Sequence, residues 1–191
     1  MPSESLAADY FERLYAADDD PWSFATSLYE LDKYEDTVAA LGPRYVRGLE
    51  IGCSVGVLTQ RLAPRCDELL AIDVSERALS AARARCAELA HVTFARVRVP
   101  QDFPARPFDL VVVSEVAYYW SNADLALARD RIAASLEPGG DLLLVHFLPK
   151  VDDYVRDGDA VHRFFLADER LARVHGHRAE RYRLDLVRRV P

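Results

Sequence analysis

Leu49-Glu50-Ile51-Gly52-Cys53-Ser54-Val55-Gly56 is followed, after a helix-length gap, by Leu69-Leu70-Ala71-Ile72-Asp73. An apolar strand ends in an acidic residue and a glycine-spaced turn, and the next apolar strand ends in an aspartate. Such a turn lets backbone approach a ligand closely, and the second carboxylate accepts both hydroxyls of an adenosine ribose. A dinucleotide fingerprint needs glycines at positions 52, 54 and 57, whereas this chain has Gly52, Ser54 and Val57, with Gly56 instead. Glu50 is also foreign to that fingerprint. The spacing Glu-x-Gly-x-x-x-Gly suits S-adenosylmethionine better, because the turn then wraps a methionine and ribose portion that carries no phosphate.

Outward from this turn, strands and helices alternate. The patterning predicts strands over residues 48–53, 68–73, 91–97, 108–114 and 141–147. Helices are predicted over 57–63, ended by Pro64, over 76–89, capped by Ser75, and over 123–136, closed by Glu137-Pro138-Gly139-Gly140. The stretch at 108–114 is the most apolar and reads as a central strand buried on both faces. After Pro149 a short helix over 160–166 and two strands over 171–175 and 182–190 imply an antiparallel end. Upstream, helices over 5–15 and 28–41 are separated by Asp18-Asp19-Asp20-Pro21-Trp22. The expected fold is α/β: a mostly parallel seven-stranded sheet, helices on both faces and an antiparallel C-terminal strand. We expect one domain over residues 1–191, with a helical segment at 1–42 and a core at 43–191.

Composition narrows the partners. A formal charge of -7 argues against a general nucleic-acid binder, which needs basic surface against phosphates. The arginine-rich stretch 170–189 reads as a solvated strand surface. Cys53, Cys66 and Cys86 form neither a metal-type pair nor a disulfide framework, which points to a reducing cytoplasm. No signal peptide is visible in residues 1–10, and no apolar run is long enough to span a bilayer. A small-molecule partner is expected, with no nucleic acid, no membrane and no metal.

The chain resembles the class I S-adenosylmethionine-dependent methyltransferases with a Rossmann-like fold, and more narrowly the nodulation protein S (NodS) family. The segments that carry the resemblance are Asp20-Pro21-Trp22 with Thr26-Ser27-x-Tyr29-Glu30-x-x-Lys33-Tyr34-x-x-Thr37, the turn at 49–56, Phe108-Asp109-Leu110-Val111-Val112-Val113-Ser114-Glu115-Val116-Ala117-Tyr118-Tyr119, and Leu136-Glu137-Pro138-Gly139-Gly140. The resemblance implies methyl transfer from S-adenosylmethionine, leaving S-adenosylhomocysteine, to the amine of a de-N-acetylated chitooligosaccharide or related amino sugar. One departure stands out: many such enzymes carry an acid after the third strand, beside the adenine amino group, and here Val97-Arg98-Val99-Pro100 occupies that place. Arginine cannot accept a hydrogen bond, so backbone carbonyls or Asp102 must serve instead, or the cofactor binds more weakly.

The candidate cofactor residues are Glu50, Gly52, Cys53, Ser54 and Gly56 in the first turn, Asp73 and Val74 after the second strand, Val99 after the third, and Ser114 and Glu115 after the fourth. Asp73 also suits a helix N-terminal acid beside Ser75, favoured by the helix dipole. Trp22 and Tyr34, with Tyr29, read either as a lid over the cofactor or as simple N-terminal docking. For catalysis the candidates are Glu115, Tyr118 and His146. Glu115 could bind an ammonium and take its proton, or serve as a carboxylate bound to backbone. The aromatic run Tyr118-Tyr119-Trp120 suits a sugar ring or a sulfonium, or packs the loop onto the sheet. His146 reads as a second base or a satisfied structural histidine, and His162, His175 and His177 as surface. Two alternatives stay open: a small-molecule O-methyltransferase on the same cofactor site, and a non-catalytic S-adenosylmethionine-binding protein.

Overall fold

The structure, a computed structural model, describes residues 4–191; residues 1–3, where the expected N-terminal segment begins, lie outside the described residues. The strands are β1 (Tyr45–Ile51), β2 (Cys66–Asp73), β3 (Val92–Arg96), β4 (Phe108–Ser114), β5 (Leu136–Phe147), β6 (Leu171–Arg178) and β7 (Tyr182–Arg189). The helices are α1 (Ala8–Ala17), α2 (Leu28–Ala39), α3 (Val57–Leu62), α4 (Glu76–Arg85), α5 (Asn122–Ser135) and α6 (Gly158–Leu166), with 3-10 turns at Ala63–Arg65 and Ala117–Tyr119. The seven strands form one sheet in the order β3-β2-β1-β4-β5-β7-β6. By contact density the chain divides into Ala7–Arg98 and residues 4–6 with Val99–Pro191.

Within Ala7–Arg98, β1, β2 and β3 pair in parallel, with Glu50 opposite Ala71 and Asp73 opposite Arg96. The carboxyl end of β1 therefore lies beside that of β2, which brings the turn at 52–56 next to Asp73. Helix α4 begins where Ser75 accepts the Ala78 amide at 3.2 Å. It ends at Arg85, short of the expected residue 89. Tight turns, Leu89 N–H to Cys86 O at 2.9 Å and Val92 N–H to Leu89 O at 3.0 Å, swing the chain into β3. Pro64 lies inside a 3-10 turn, near its start, where a missing N–H costs nothing.

Within the second unit, β4 pairs in parallel with β5, β5 antiparallel with β7, and β7 antiparallel with β6. Phe108, Leu110, Val111, Val112 and Val113 are wholly buried, as are Leu142 to Val145 on β5. Continuous apolar sequence here reflects burial on both faces. Glu137-Pro138-Gly139-Gly140, expected as a terminator, lies inside β5. Pairing jumps from Phe108–Leu136 to Leu110–Asp141, and the intervening residues bulge out with Gly139 at φ +82°. Four arginines of β6 and β7 meet acids: Arg173 and Arg183 reach Asp185, Arg178 reaches Asp159, and Arg188 reaches Asp141. Among the described residues, no helix is long and apolar enough to cross a membrane.

Candidate active site

The turn after β1 is held open by three left-handed residues, Gly52 (φ +80°), Ser54 (φ +50°) and Gly56 (φ +81°). A Cβ on Gly56 would meet Ala82 of α4 at 3.0 Å, so this position needs glycine for both conformation and space. The amides of Gly52 and Cys53 both donate to Ile72 O, at 2.8 and 3.0 Å. Asp73 completes the lacing: Oδ2 accepts the Ser54 amide and Oδ1 the Ser75 amide, each at 2.9 Å. Burial pushes the Asp73 carboxyl up, and these amides pull it back. The Val74 amide also donates to this carboxylate, so three backbone amides hold it. A carboxylate has about four acceptor sites, so capacity remains for a hydroxyl donor such as a ribose offers. Through the Ser75 amide Asp73 stands in the expected helix-start position.

Glu50 is almost wholly buried, and its Oε2 accepts the Thr59 hydroxyl at 2.6 Å. Burial raises its carboxyl to about 8, against the Thr59 hydrogen bond and with a further push from Asp73. Cys53 is buried, and burial with Asp73 and Glu50 nearby pushes its thiol well up, so it is an inert wall rather than a nucleophile. Val74 is half-buried and offers its carbonyl to Arg96 Nε at 2.9 Å. Arg98 is exposed.

The N-terminal segment folds onto this turn through a residue that sequence patterning did not single out. The Tyr15 hydroxyl lies 2.5 Å from Ser54 Oγ. Trp22 packs edge-on to Tyr15 at 5.6 Å and stacks on Phe24 at 5.5 Å. Asp20 fixes the intervening loop by accepting the Phe24 and Ala25 amides, at 2.9 and 2.8 Å. Tyr34 is buried on α2, beside the buried ion pair of Lys33 and Glu30 at 2.8 Å, with Lys33 also 5.2 Å from the Tyr29 ring.

In the second unit, β4 ends at Ser114, and Glu115, the next residue, takes a left-handed φ of +56°. A long side chain in that region is strained, and such residues gather at functional sites. Its half-buried carboxylate is fixed: Oε2 accepts the Tyr118 hydroxyl at 2.6 Å and the Phe147 amide at 3.0 Å. Tyr118 in turn accepts from the Tyr154 hydroxyl at 3.1 Å, and the two rings stack at 3.8 Å. Burial, then the Glu115 charge, keeps the Tyr118 phenol protonated. Tyr119 and Trp120 are buried, as is Val99. Residues 151–157 wrap this turn, with Val155 N–H to Tyr118 O at 3.0 Å.

His146 requires a correction. It is wholly buried, with Nε2 accepting the Ala117 amide at 3.3 Å and Nδ1 3.2 Å from His162 Nε2. Both ring nitrogens are engaged, so it has no lone pair for a substrate proton. His162, expected at the surface, is also wholly buried because α6 turns it toward β5 and β7, where it meets Asp185 at 2.7 Å; His175 and His177 are exposed as expected. The structure thus gathers Glu50, Gly52, Cys53, Ser54, Gly56, Asp73 and Val74 at one set of strand ends. It gathers Ser114, Glu115 and Tyr118 at another. Thr59, Tyr15, Tyr154 and Asp185 join them without any motif to announce them. Among the described residues, no cluster of His, Cys, Asp or Glu suits a metal.

The family described as nodulation protein S (NodS) matches residues 4–149. The chain is similar to nodulation protein S of Rhizobium tropici, 35% identical over 131 residues, which is 66% of this chain and 55% of that protein. It is similar to nodulation protein S of Sinorhizobium fredii, 33% identical over 66% of this chain and 60% of that one. These matches span less than two thirds of the relatives' length. The crystal structure of the N-methyltransferase NodS from Bradyrhizobium japonicum WM9 in complex with S-adenosyl-L-homocysteine matches with a TM-score of 0.84. Its identity is 28%, over 95% of this chain and 98% of that one.

Proposed function

The chain belongs to the nodulation protein S (NodS) family, and from that premise we propose that it is an S-adenosylmethionine-dependent N-methyltransferase acting on a small amine-bearing acceptor, a de-N-acetylated chitooligosaccharide or related amino sugar. In support, one solved structure that matches over nearly its whole length is an N-methyltransferase with S-adenosylhomocysteine bound. Asp73 would hold the ribose, the left-handed turn at 52–56 the methionine portion, and Glu50 would order that turn through Thr59. The helical segment carrying Tyr15, Trp22 and Tyr34 acts as a lid. When bound, the cofactor supplies an electrophilic methyl group on a sulfonium.

The observation that carries the acceptor side is Glu115. Its backbone is strained, yet its carboxylate is held by two donors in a half-buried position. An ammonium is a natural further donor to such a group. The attacking amine must be neutral, so Glu115 takes its proton and leaves the nitrogen lone pair to accept the methyl. Tyr118 and Phe147 N–H fix the carboxylate so that little reorganisation is needed. Tyr154, half-buried and stacked on the buried Tyr118, is the aromatic ring near that carboxylate suited to a sugar.

The test is transfer of a labelled methyl group from S-adenosylmethionine to a chitooligosaccharide with one free amine, against its fully N-acetylated form. Label on the free-amine sugar alone is expected. Equal labelling of both would move the reading to a hydroxyl acceptor, and no label with tight S-adenosylhomocysteine binding would make the chain a binding protein.

A further inference from the structure

A buried polar chain lies beneath the acceptor turn, and two of its four members are outside the part that the family matches. It runs from the Ala117 amide through His146 on β5 and His162 on α6 to Asp185 on β7. His146, His162 and Asp185 are all wholly buried. The proton positions follow from one donor. A backbone amide can only donate, so His146 Nε2 must carry a lone pair and its proton must sit on Nδ1. That proton points at His162 Nε2, which must therefore accept, leaving the His162 proton on Nδ1 to donate to Asp185 Oδ2. Asp185 is held ionised by Arg183 Nε at 2.7 Å and Arg173 Nε at 2.6 Å. Arg183 and Arg178 also bind Asp159.

His146 touches the acceptor turn twice. It accepts the Ala117 amide, and its ring lies edge-on to Tyr118 at 5.4 Å. Tyr118 is the residue that donates to Glu115.

We propose that His146 and His162 are positioning residues: two neutral Nδ1–H imidazoles, oriented by Asp185, fix Ala117 and Tyr118 and so set the Glu115 carboxylate for the acceptor. This rests on the reading of Glu115 given above, but the relay itself is testable without turnover. Replacing either imidazole by a hydrocarbon orphans a buried donor or acceptor and loosens the turn. Burial holds His162 below its ordinary value despite Asp185, in keeping with a neutral ring. Protonating His162 at Nε2 would set two N–H donors against each other and break the relay.

The experiment begins with nitrogen-15 imidazole spectra of the whole chain at pH 7.5. Two buried rings, both neutral and both Nδ1–H, are expected. A His146 ring protonated on Nε2, or a cationic ring, overturns the proposal. Amide exchange at Ala117 is then measured in wild type, His146→Leu, His146→Gln and His162→Leu. Protection should fall at least tenfold in both leucine variants and return in His146→Gln, whose amide can both accept from Ala117 and donate to His162. Wild-type protection in both leucine variants overturns the relay. If His146→Leu does not fold, His162→Leu carries the same comparison. In methyl transfer, the leucine variants should lower kcat by on the order of 10²-fold with KM for the cofactor unchanged. If wild-type protein transfers no methyl, the proposed function fails while the spectra and exchange still decide the relay.

Discussion

The Tyr15 hydroxyl lies 2.5 Å from the Ser54 hydroxyl, joining the last turn of α1 to the centre of the left-handed turn after β1. A helix far upstream in the chain thus holds the residue whose amide Asp73 accepts. Removing the hydroxyl in Tyr15→Phe keeps the ring against Trp22 and deletes only this bond. Stability should fall by about 1 kcal/mol, while affinity for S-adenosylhomocysteine falls several-fold, read by calorimetric titration. Trp22→Ala should likewise weaken cofactor binding with little change in melting temperature. A large stability loss with unaltered affinity would sink the lid reading.

Glu50 gives a pH signature. Its carboxyl sits at about 8 in the folded chain, against 4.5 ordinarily. The folded state keeps a proton that the unfolded state releases. The stability this provides is full below about 4.5, erodes as pH rises, and is gone above about 8. Glu50→Gln is neutral throughout, so its melting temperature relative to wild type should climb between those limits and then level off. The gain should reach about 5 kcal/mol at most, at about 1.4 kcal/mol per unit. A pH-independent difference would contradict the burial argument.

Gly56→Ala should cost about 2 kcal/mol or more, from the left-handed φ and the 3.0 Å approach to Ala82. Denaturant melts with and without S-adenosylhomocysteine would test this, and the ligand should rescue less than in wild type. A stability change within experimental error would mean the turn is looser than its hydrogen bonds imply.

Glu115→Gln keeps the shape of the carboxylate and removes its charge. We expect kcat with an amine acceptor to fall on the order of 10²-fold or more, with cofactor affinity within twofold of wild type. A neutral effect on kcat would leave Glu115 as a tie between the Tyr118 and Phe147 donors and nothing else.

Much of the frame was legible in the chain. Gly52, Gly56, Asp73 and Ser75 act at the ends of adjacent strands because local rules govern them: turns need left-handed residues, and helices need caps. The run at 108–114 needed only its apolar continuity. Element ends were less legible. The bulge at Glu137–Gly140 has the composition of a terminator, but pairing with β4 absorbs it into β5. His162 carries no mark of burial in its neighbours, because α6 is amphipathic whichever polar residue it turns inward.

The sequence by itself determined the order of strands and helices, the cofactor-type turn and the acid at the end of β4, since each depends on residues within a few positions of one another. Tertiary structure alone decided that His146 cannot be a base, that Tyr15 reaches Ser54, and that Asp185 anchors a relay to Ala117. Those facts depend on which nitrogen or oxygen meets which donor across long separations in the chain, and a hydrogen bond acts over about 3 Å whatever the number of residues between its ends.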